Sequence, residues 1–475
     1  MLVAVEESAT ATGKGNGETA ATRRVLAGQS SPRHTLRFAL RSIALAALAL
    51  LGVAPAFTTA QIVAAPGSGA QVISSQNGLP QVNIVRPSGA GVSVNTYNQF
   101  DVQKPGAILN NSPTIVQTQQ AGMINGNPNL GAGQSAKIIV NQVNSSAASQ
   151  INGYLGVAGP RAEVVIANGS GISVNGGGFI NTSHAILTTG TPNYGADGSL
   201  TGFNVTGGNV IIQGTGMNAG NVDQVDLIAR AVQANATIFA KNLNVIAGAN
   251  SIDHGTLNPT PIAGNGPAPG VSIDVSNLGG MYANRIVLLG TENGVGVSTK
   301  GVLAAQAGDL ILTTQGKLIL AGQTNASGNI AINAHDGIVN SGTTYAQQSL
   351  SANTSGVLMN SGTLAAQQNT GASAGSIAST GTLGSGINSD GSIASAGELN
   401  LNASGALTAT GRNAAGGSAT IQGASVNLAG SSTSANGNLT LAATAGDLNT
   451  SGATTTAGTA LTASTAGTLT NDDGA

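Results

Sequence analysis

The sequence contains no cysteine and no tryptophan, and it is poor in aromatic and charged residues. The absence of cysteine excludes a disulfide framework, zinc sites built from thiolates and a thiol nucleophile. Aromatic residues make up 2% of the 475 residues and charged residues 7%, whereas about a quarter of an ordinary globular chain is charged. We therefore do not expect a compact α/β enzyme whose core is filled by aromatic side chains.

Charge of either sign is sparse, and the formal net charge is −2. Six of the 16 basic residues lie before position 42, so the rest of the chain has no basic patch that could neutralise phosphates. We therefore expect no nucleic-acid partner. Long disorder is not indicated either, because disordered chains are usually rich in charge and this one is 41% hydrophobic with a mean hydropathy of +0.15.

Small neutral residues and 70 glycines dominate the sequence, and from about residue 300 the chain repeats itself. Gly308–Thr314 recurs as Gly328–Ala334, and Gly397–Ala403 recurs as Gly437–Ala443. These units place apolar side chains mostly at every second position, which is typical of β-strands. The repeats therefore favour a β architecture built from many similar coils.

One such repeat cannot bury its own apolar face, but stacked repeats can, with each coil hydrogen-bonded to the next. The pattern predicts an all-β parallel β-helix, and the general crossover preference predicts a right-handed one. Leu399 and Leu401 are expected to face the interior, and Asn400 and Asn402 the solvent. At roughly 20 residues per coil, about 20 coils are expected. Aligned Asn and Thr side chains would form ladders between coils.

Three segments depart from this pattern. Residues 255–270 contain four prolines, which cannot donate to a β-ladder, so we predict a loop excursion there. Residues 365–396 and 450–475 are dominated by Ser, Gly, Ala and Thr, and low-complexity disorder is the alternative for them.

Residues 31–60 have the order of a secretory signal: basic residues, an apolar run and then small residues. The apolar run Ile43–Val53 is too short to span a bilayer, which needs about 20 residues. Cleavage after Ala56 and cleavage after Ala60 both fit the small residues, and a buried core helix is the alternative interpretation. We expect the mature chain to leave the cytoplasm and to stay soluble.

The region after this signal contains a series of identifiable motifs. They are Gly91–Val102, Gly106–Ser112, Asn127–Leu130, Ala167–Ile172 and Gly178–Thr182. In this order they resemble the secretion domain of two-partner-secreted exoproteins, the filamentous haemagglutinin family, and the downstream repeats resemble the shaft of that family.

The resemblance implies a domain order and an export route. The domains are an extended signal peptide (1–60), a two-partner secretion domain that caps the β-helix (61–250), a connecting segment with a Pro/Gly-rich loop (251–300) and haemagglutinin-type repeats (301–475). The chain would cross the periplasm of a Gram-negative bacterium, meet a dedicated outer-membrane β-barrel transporter, and end secreted or at the cell surface. Val3–Glu7 is similar to the closing part of the family's leaders, whose basic opening is missing, which suggests the hypothesis that Met1 is an internal methionine.

Two short motifs are implied by the resemblance to act in secretion and transporter recognition. They are Asn127, Pro128, Asn129 and Leu130, which match an Asn-Pro-Asn-Leu signature, and Asn168, Gly171 and Ile172, which match part of a second signature. The first motif has another interpretation, because proline fixes φ and flanking Asn side chains bond back to the backbone. It would then be a rigid turn that stabilises the cap, and both interpretations stay open.

Residues that could carry chemistry are few. Among the four histidines, we interpret His184 as a satisfied turn residue rather than a catalytic one, and no histidine pair has the spacing of a metal site. Asp223 and Asp226 are three positions apart and would face opposite sides of a strand, which argues against a glycosidase pair. We therefore expect no enzyme activity, no metal and no cofactor.

Three classes of function remain. The first is a secreted surface adhesin or haemagglutinin-like filament, whose receptor the sequence does not identify. The second is the N-terminal delivery portion of a contact-dependent inhibition toxin or of a cytolysin, which would differ in a C-terminal domain that we expect to lie beyond the sequence or not to exist. The third is a β-helical polysaccharide lyase, which would need carboxylates converging on one lateral face.

Overall fold

The computed structural model describes residues 62–473, which form three long β-sheets and contain no helix. The signal peptide predicted at residues 1–60 and its two cleavage positions lie outside the described residues. Among the described residues, no helix is long and apolar enough to cross a membrane. The predicted all-β fold is confirmed.

Most coils contribute one strand to each of the three long sheets. In register order, the first sheet consists of Val63–Ala64, Val92–Gln99, Ile138–Val143, Ala162–Asn168, Thr182–Thr188, Gln224–Ala229, Asn242–Ala247, Arg285–Gly290, Leu310–Thr314, Ile330–Ala334, Leu350–Thr354, Thr370–Ala374, Leu399–Ala403, Ala419–Gly423, Leu439–Ala443 and Leu461–Thr465.

The second sheet consists of Gln71–Ser74, Pro80–Asn83, Ala107–Asn110, Tyr154–Ala158, Gly177–Ile180, Met217–Ala219, Thr237–Ala240, Gly280–Ala283, Val302–Ala305, Gln323–Ala326, Thr343–Ala346, Thr363–Ala366, Thr382–Ser385, Arg412–Ala415, Ser432–Ala435 and Thr454–Ala457. The third sheet consists of Ser149–Ile151, Ile172–Val174, Asn209–Ile212, Ala231–Ala234, Val271–Val275, Gly296–Thr299, Leu318–Leu320, Gly337–Asn340, Val357–Asn360, Ser376–Ser379, Ala406–Ala409, Ser425–Asn427, Leu448–Asn449 and Leu469–Thr470.

Parallel pairing between successive coils makes this arrangement a β-solenoid, as the repeats predict. Leu310 pairs with Ile330 and Ile330 with Leu350, so the regular coils are twenty residues apart. The first two sheets have 16 strands each, fewer than the 20 coils expected. The difference arises because some coils are longer: Ile186 pairs with Asp226, forty positions along the chain.

The N-terminal end of the solenoid is closed by strands that run the other way. Val63–Ala64 pairs antiparallel with Val92–Gln99, and Gln71–Ser74 pairs antiparallel with Pro80–Asn83. The long sheets continue from there by parallel pairing. Val63–Ala64 and Gln71–Ser74 are the terminal strands of the first two sheets, and they form the predicted cap.

The interior of the solenoid is one continuous apolar column that runs from Ile62 to Leu448. Leu399 and Leu401 are buried in it, whereas Asn400 and Asn402 are exposed, as the alternation predicts. Leu, Ile, Val and Ala side chains fill this narrow space, so few aromatic residues are needed.

Two groups of strands lie outside the three long sheets. A four-stranded antiparallel sheet, here called the outer sheet, consists of Thr191–Tyr194, Leu200–Val205, Asn250–Asp253 and Pro259–Pro261. It packs on the first sheet through a second apolar cluster that includes Phe203, Ile228 and Ile252. A hairpin formed by Val116–Thr118 and Gly122–Ile124 is the other group.

The outer sheet explains the proline-rich segment, since Pro259–Pro261 forms its edge strand. The excursion predicted at residues 255–270 is therefore present. The rest of the segment predicted as a connector, residues 271–300, contributes strands to all three long sheets. Residues 370–385 and 454–470 also form strands, although disorder is the alternative that their composition allows.

Buried polar side chains form a ladder between coils, as expected from the aligned Asn residues. Asn340 donates from Nδ2 to Oδ1 of Asn360 at 2.7 Å, and Asn360 donates to Oγ of Ser379 at 3.0 Å. All three side chains are buried. Each step of the ladder satisfies an amide that would be costly to bury without a partner.

A column of turn glycines gives a testable prediction for the stack. A Cβ at Gly342 would collide with the backbone of Ala321 and Gly322 in the preceding coil, whereas a Cβ at Gly371 meets no atom within 4 Å. We expect Gly342→Ala to lower the free energy of unfolding by about 1–3 kcal/mol, measured by urea denaturation. Gly371→Ala is the matched control and should be neutral or slightly stabilising; equal effects of the two variants would contradict the proposed close packing.

Candidate functional site

The first predicted motif is a buried clamp of the cap. The Asn127 side chain is 1% exposed, and its Nδ2 donates to the carbonyl oxygens of Ile84 and Asn110, each at 2.9 Å. Its Oδ1 accepts the backbone N–H of Asn129 at 2.9 Å, which closes an Asx turn. Asn127 therefore ties the end of the strand Pro80–Asn83 to the end of the neighbouring strand Ala107–Asn110.

The other residues of this motif complete the turn. Asn129 donates from Nδ2 to the carbonyl oxygen of Ile84 at 3.1 Å, and the backbone N–H of Leu130 donates to the carbonyl oxygen of Asn127 at 3.1 Å. Leu130 is buried in the solenoid core. Pro128 is the exposed residue of the motif, so it is the one available for direct contact with a partner.

The second predicted motif repeats this construction at another place. Asn168 is 1% exposed and donates from Nδ2 to the carbonyl oxygen of Ala147 and to Oγ of Ser149, both at 3.0 Å. Its Oδ1 accepts the backbone N–H of Ser170 at 2.9 Å. Gly171 has a φ of 116°, a conformation that favours glycine, and Ile172 is buried in the core.

The two motifs are thus built alike but bond to different parts of the chain. The first holds the cap strand that ends near Ile84, and the second holds the turn around Ala147. Both motifs have the geometry of the rigid turn that was the second interpretation of Asn127–Leu130. A role of either motif in transporter recognition stays a prediction.

A cluster of two carboxylates and two histidines lies on the outer face of the first sheet. His184 places Nδ1 3.2 Å from Oε2 of Glu163 and Nε2 2.7 Å from Oδ2 of Asp226. His254, which follows the outer-sheet strand Asn250–Asp253, places Nε2 2.7 Å from Oε1 of Glu163. The acid–histidine cluster, as we call these four residues, joins the outer sheet to the solenoid.

Asp226 is fully buried, and three side chains share its carboxylate. Besides His184, Asn244 donates to Oδ1 at 2.8 Å and Gln224 donates to Oδ1 at 3.0 Å. A buried carboxylate is tolerated when donors surround it in this way. Asp223, by contrast, is exposed and forms salt bridges with Arg161 and Lys241.

The pKa values of two members reflect this arrangement. Burial acts to lower the pKa of His184, but hydrogen bonds and charge from Asp226 and Glu163 outweigh it and raise the pKa to about 9. Burial acts to raise the pKa of Glu163, but hydrogen bonds and charge from His184 and His254 hold it at about 2. His184 is therefore an imidazolium at neutral pH, and Glu163 a carboxylate.

The interpretation of His184 as a turn residue is wrong. The residue lies in the strand Thr182–Thr188 and bridges carboxylates from two neighbouring coils. The members of the cluster are irregularly spaced in sequence because the coils between them differ in length. No local pattern could have revealed the cluster, because its members lie in separate strands and loops of the chain.

A cleft adjoins the cluster, between the first sheet and the loop of the outer sheet. Its volume is about 580 Å³, and its lining includes His184, His254, Asn244, Arg285 and Leu289. Carboxylates do converge on a lateral face here, which was the condition set for a lyase. However, both ring nitrogens of His184 are hydrogen-bonded to carboxylates, and the side chain of Asp226 is not exposed. The cluster therefore has the geometry of a structural contact that holds the outer sheet on the solenoid.

The cluster predicts how stability depends on pH. The raised pKa of His184 contributes stability that is fully present below about pH 6.5 and lost as pH rises through about 9. The lowered pKa of Glu163 contributes stability that is present above about pH 4.5 and lost as pH falls through about 2. We expect the outer sheet to be most resistant to thermal unfolding between about pH 4.5 and 6.5, where both contributions are fully present. H184Q should make the loss of stability at alkaline pH less steep. An unchanged alkaline decline in H184Q would contradict this assignment.

A sequence model of the two-partner secretion (TPS) secretion domain matches residues 60–320 of the chain. The chain belongs to the TPS secretion domain family. The resemblance drawn from the sequence motifs is confirmed, and so is the localisation, because exoproteins of this family pass through the periplasm of Gram-negative bacteria to the cell surface or medium. The match extends to residue 320, and the domain boundary at residue 250 stays a prediction.

Several relatives are similar over most of the chain. It is 58% identical over 437 residues to tRNA nuclease CdiA-2 of Burkholderia pseudomallei (strain 1026b), which is 92% of this chain and 14% of that protein. It is 44% identical over 422 residues to Toxin CdiA of Yersinia pestis, covering 87% of this chain and 13% of the toxin. The chain thus spans about a seventh of the length of these relatives.

A solved structure supports the same assignment for the TPS domain. The filamentous hemagglutinin secretion domain is 32% identical, with a TM-score of 0.52, and the match covers 60% of this chain and 95% of that structure. The parallel β-solenoid of this chain therefore matches the fold of the filamentous hemagglutinin secretion domain.

Proposed function

We propose that this chain is the exported N-terminal portion of a contact-dependent inhibition toxin. Its TPS domain engages an outer-membrane β-barrel transporter, and its solenoid is the start of a stalk that carries a toxic domain to a neighbouring cell. The observation that carries the proposal is the 58% identity to a CdiA toxin over 92% of the chain. This identity extends well past the secretion domain into the repeats.

The proposal reverses the order of functions that the sequence suggested, in which an adhesin came first and a toxin second. Relatives named as CdiA toxins or nucleases support the second. The structural features fit a stalk, because one apolar core continues from the cap into the last coils. We propose that the described residues themselves perform no catalysis, and that any nuclease activity belongs to a domain outside them.

A surface adhesin is the second candidate, supported by the match to the filamentous hemagglutinin secretion domain. Both candidates share the same export step. They differ in what happens after a neighbouring cell is reached, since a toxin kills or arrests that cell and an adhesin only attaches to it.

The test is co-culture of cells that produce the complete reading frame with sensitive target cells. We expect target counts to fall when the cells touch, and to stay unchanged when a membrane filter separates them or when the transporter gene is deleted. Attachment without any loss of target viability would overturn the toxin proposal and favour the adhesin. Absence of the protein from the medium and from the cell surface in producing cells would instead overturn the export step.

A further inference from the structure

Outward-facing aromatic side chains are concentrated in one column of the second sheet. Of the nine aromatic residues in the described part of the chain, five lie outside the buried core, and four of these five share this column. In register order the column reads Tyr154, Gly178, Asn218, Phe239, Tyr282, Ala304, Asn325 and Tyr345. Eight successive coils therefore contribute one position each.

The column repeats one order of side chains twice: an aromatic residue, a small residue, an asparagine and another aromatic residue. In the first half, the ring of Tyr154 lies over Gly178, where a Cβ would collide with it. In the second half, the positions between Tyr282 and Tyr345 are Ala304 and Asn325, which leave an open depression. At about 4.8 Å per coil, the two tyrosines are about 14 Å apart along the stack.

This depression is a cleft of about 480 Å³, here called the amide–aromatic cleft. Ala304 and Asn325 belong to its floor, Tyr345 lines one end, and Gln306, Gln347 and Ser389 lie along its margins. The Tyr345 hydroxyl donates to the carbonyl oxygen of Ile387 at 3.1 Å, which fixes the ring. A fixed aromatic ring is suited to binding because little side-chain entropy is lost on contact.

The polar side chains of the cleft are three amides and the hydroxyl groups of Ser327, Ser389 and Tyr345. The side chains of Gln306, Asn325 and Gln347 line the cleft, and each carries both donors and an acceptor. None of the residues that line the cleft is charged. The cleft therefore offers neutral hydrogen bonds and an aromatic face.

We propose that the amide–aromatic cleft binds a neutral saccharide. A sugar ring presents an apolar face of C–H groups that stacks on an aromatic ring, and its hydroxyls pair with amide donors and acceptors. Polyanions need basic side chains, which the lining lacks, and an apolar peptide would make no use of the amide donors and acceptors. The cleft extends over the successive coils that contribute Ala304, Asn325 and Tyr345, which suits an oligosaccharide lying along the stack. This inference does not depend on the proposed toxin function.

The test is calorimetric titration of the secreted full chain with hexasaccharides. The probes are cellohexaose, maltohexaose, laminarihexaose and mannohexaose, with hexagalacturonate as the anionic comparison. We expect at least one neutral hexasaccharide to bind, and the double variant Q306A/Q347A to weaken its binding about tenfold through the loss of two hydrogen bonds. Both glutamines are exposed, so the variant should fold normally.

The matched control is Q323A, which removes an exposed amide two positions before Asn325 on the same strand and outside the cleft. It should bind as the unaltered chain does. Y345F, which removes only the hydroxyl that fixes the ring, should weaken binding less than Y345A. Lack of binding to all four neutral probes, stronger binding of hexagalacturonate, or equal effects of Q306A/Q347A and Q323A would each overturn the proposal.

Discussion

Asn127→Ala is expected to lower the free energy of unfolding of the cap by about 3 kcal/mol and to reduce secretion at least about tenfold. The substitution removes two hydrogen bonds to the carbonyl oxygens of Ile84 and Asn110 and leaves the N–H of Asn129 without its acceptor. A buried polar group without a partner costs more than the lost bond alone is worth. Urea denaturation and the amount of chain in the medium, with the transporter present, measure the two effects.

The exposed residue of the motif separates folding from recognition. Pro128→Ala keeps the hydrogen bonds of Asn127, so the cap should stay stable. If the transporter contacts the motif directly, P128A should reduce secretion at unchanged stability. Normal secretion of P128A together with failed secretion of N127A would mean that the motif acts through the shape of the cap. Normal export of both N127A and P128A would remove any role of the motif in secretion.

Asp226→Ala is expected to have the second large effect, a loss of about 3–5 kcal/mol in stability. The substitution leaves the imidazolium of His184 and the amides of Asn244 and Gln224 facing a buried space without an acceptor. The pKa of His184 should fall at the same time, because the hydrogen bond to Asp226 is the largest contribution that raises this pKa. Denaturant unfolding and NMR titration of the histidine ring measure the two consequences.

Two controls distinguish a buried charge from a general effect of the cluster. Asp223→Ala removes an exposed carboxylate, and exposed salt bridges are worth about 0–1 kcal/mol. The double variant D226L/H184L removes both charges and should recover part of the stability lost in D226A. If D226A and D223A destabilise equally, the cluster does not brace the outer sheet.

The alternation at Leu399–Asn402 shows what sequence patterns can predict. Period-two alternation determines which side chains enter the core, and a repeat of twenty residues determines that coils stack, since neither depends on contacts far along the chain. The motif Asn127–Leu130 was recognisable for the same reason, because it is a local turn. Which carbonyl oxygens Asn127 binds could not be predicted, since Ile84 lies 43 residues away in the chain.

The sequence by itself determined the solenoid, the absence of thiol chemistry and the membership of an exported family, because composition and short periodicities carry that information. The tertiary structure alone decided which distant side chains meet. Coils of unequal length bring Glu163, His184 and Asp226 together, and equal register aligns Tyr282 with Ala304 and Asn325. Those contacts depend on coil length and strand register, which are set by the packing of the whole stack.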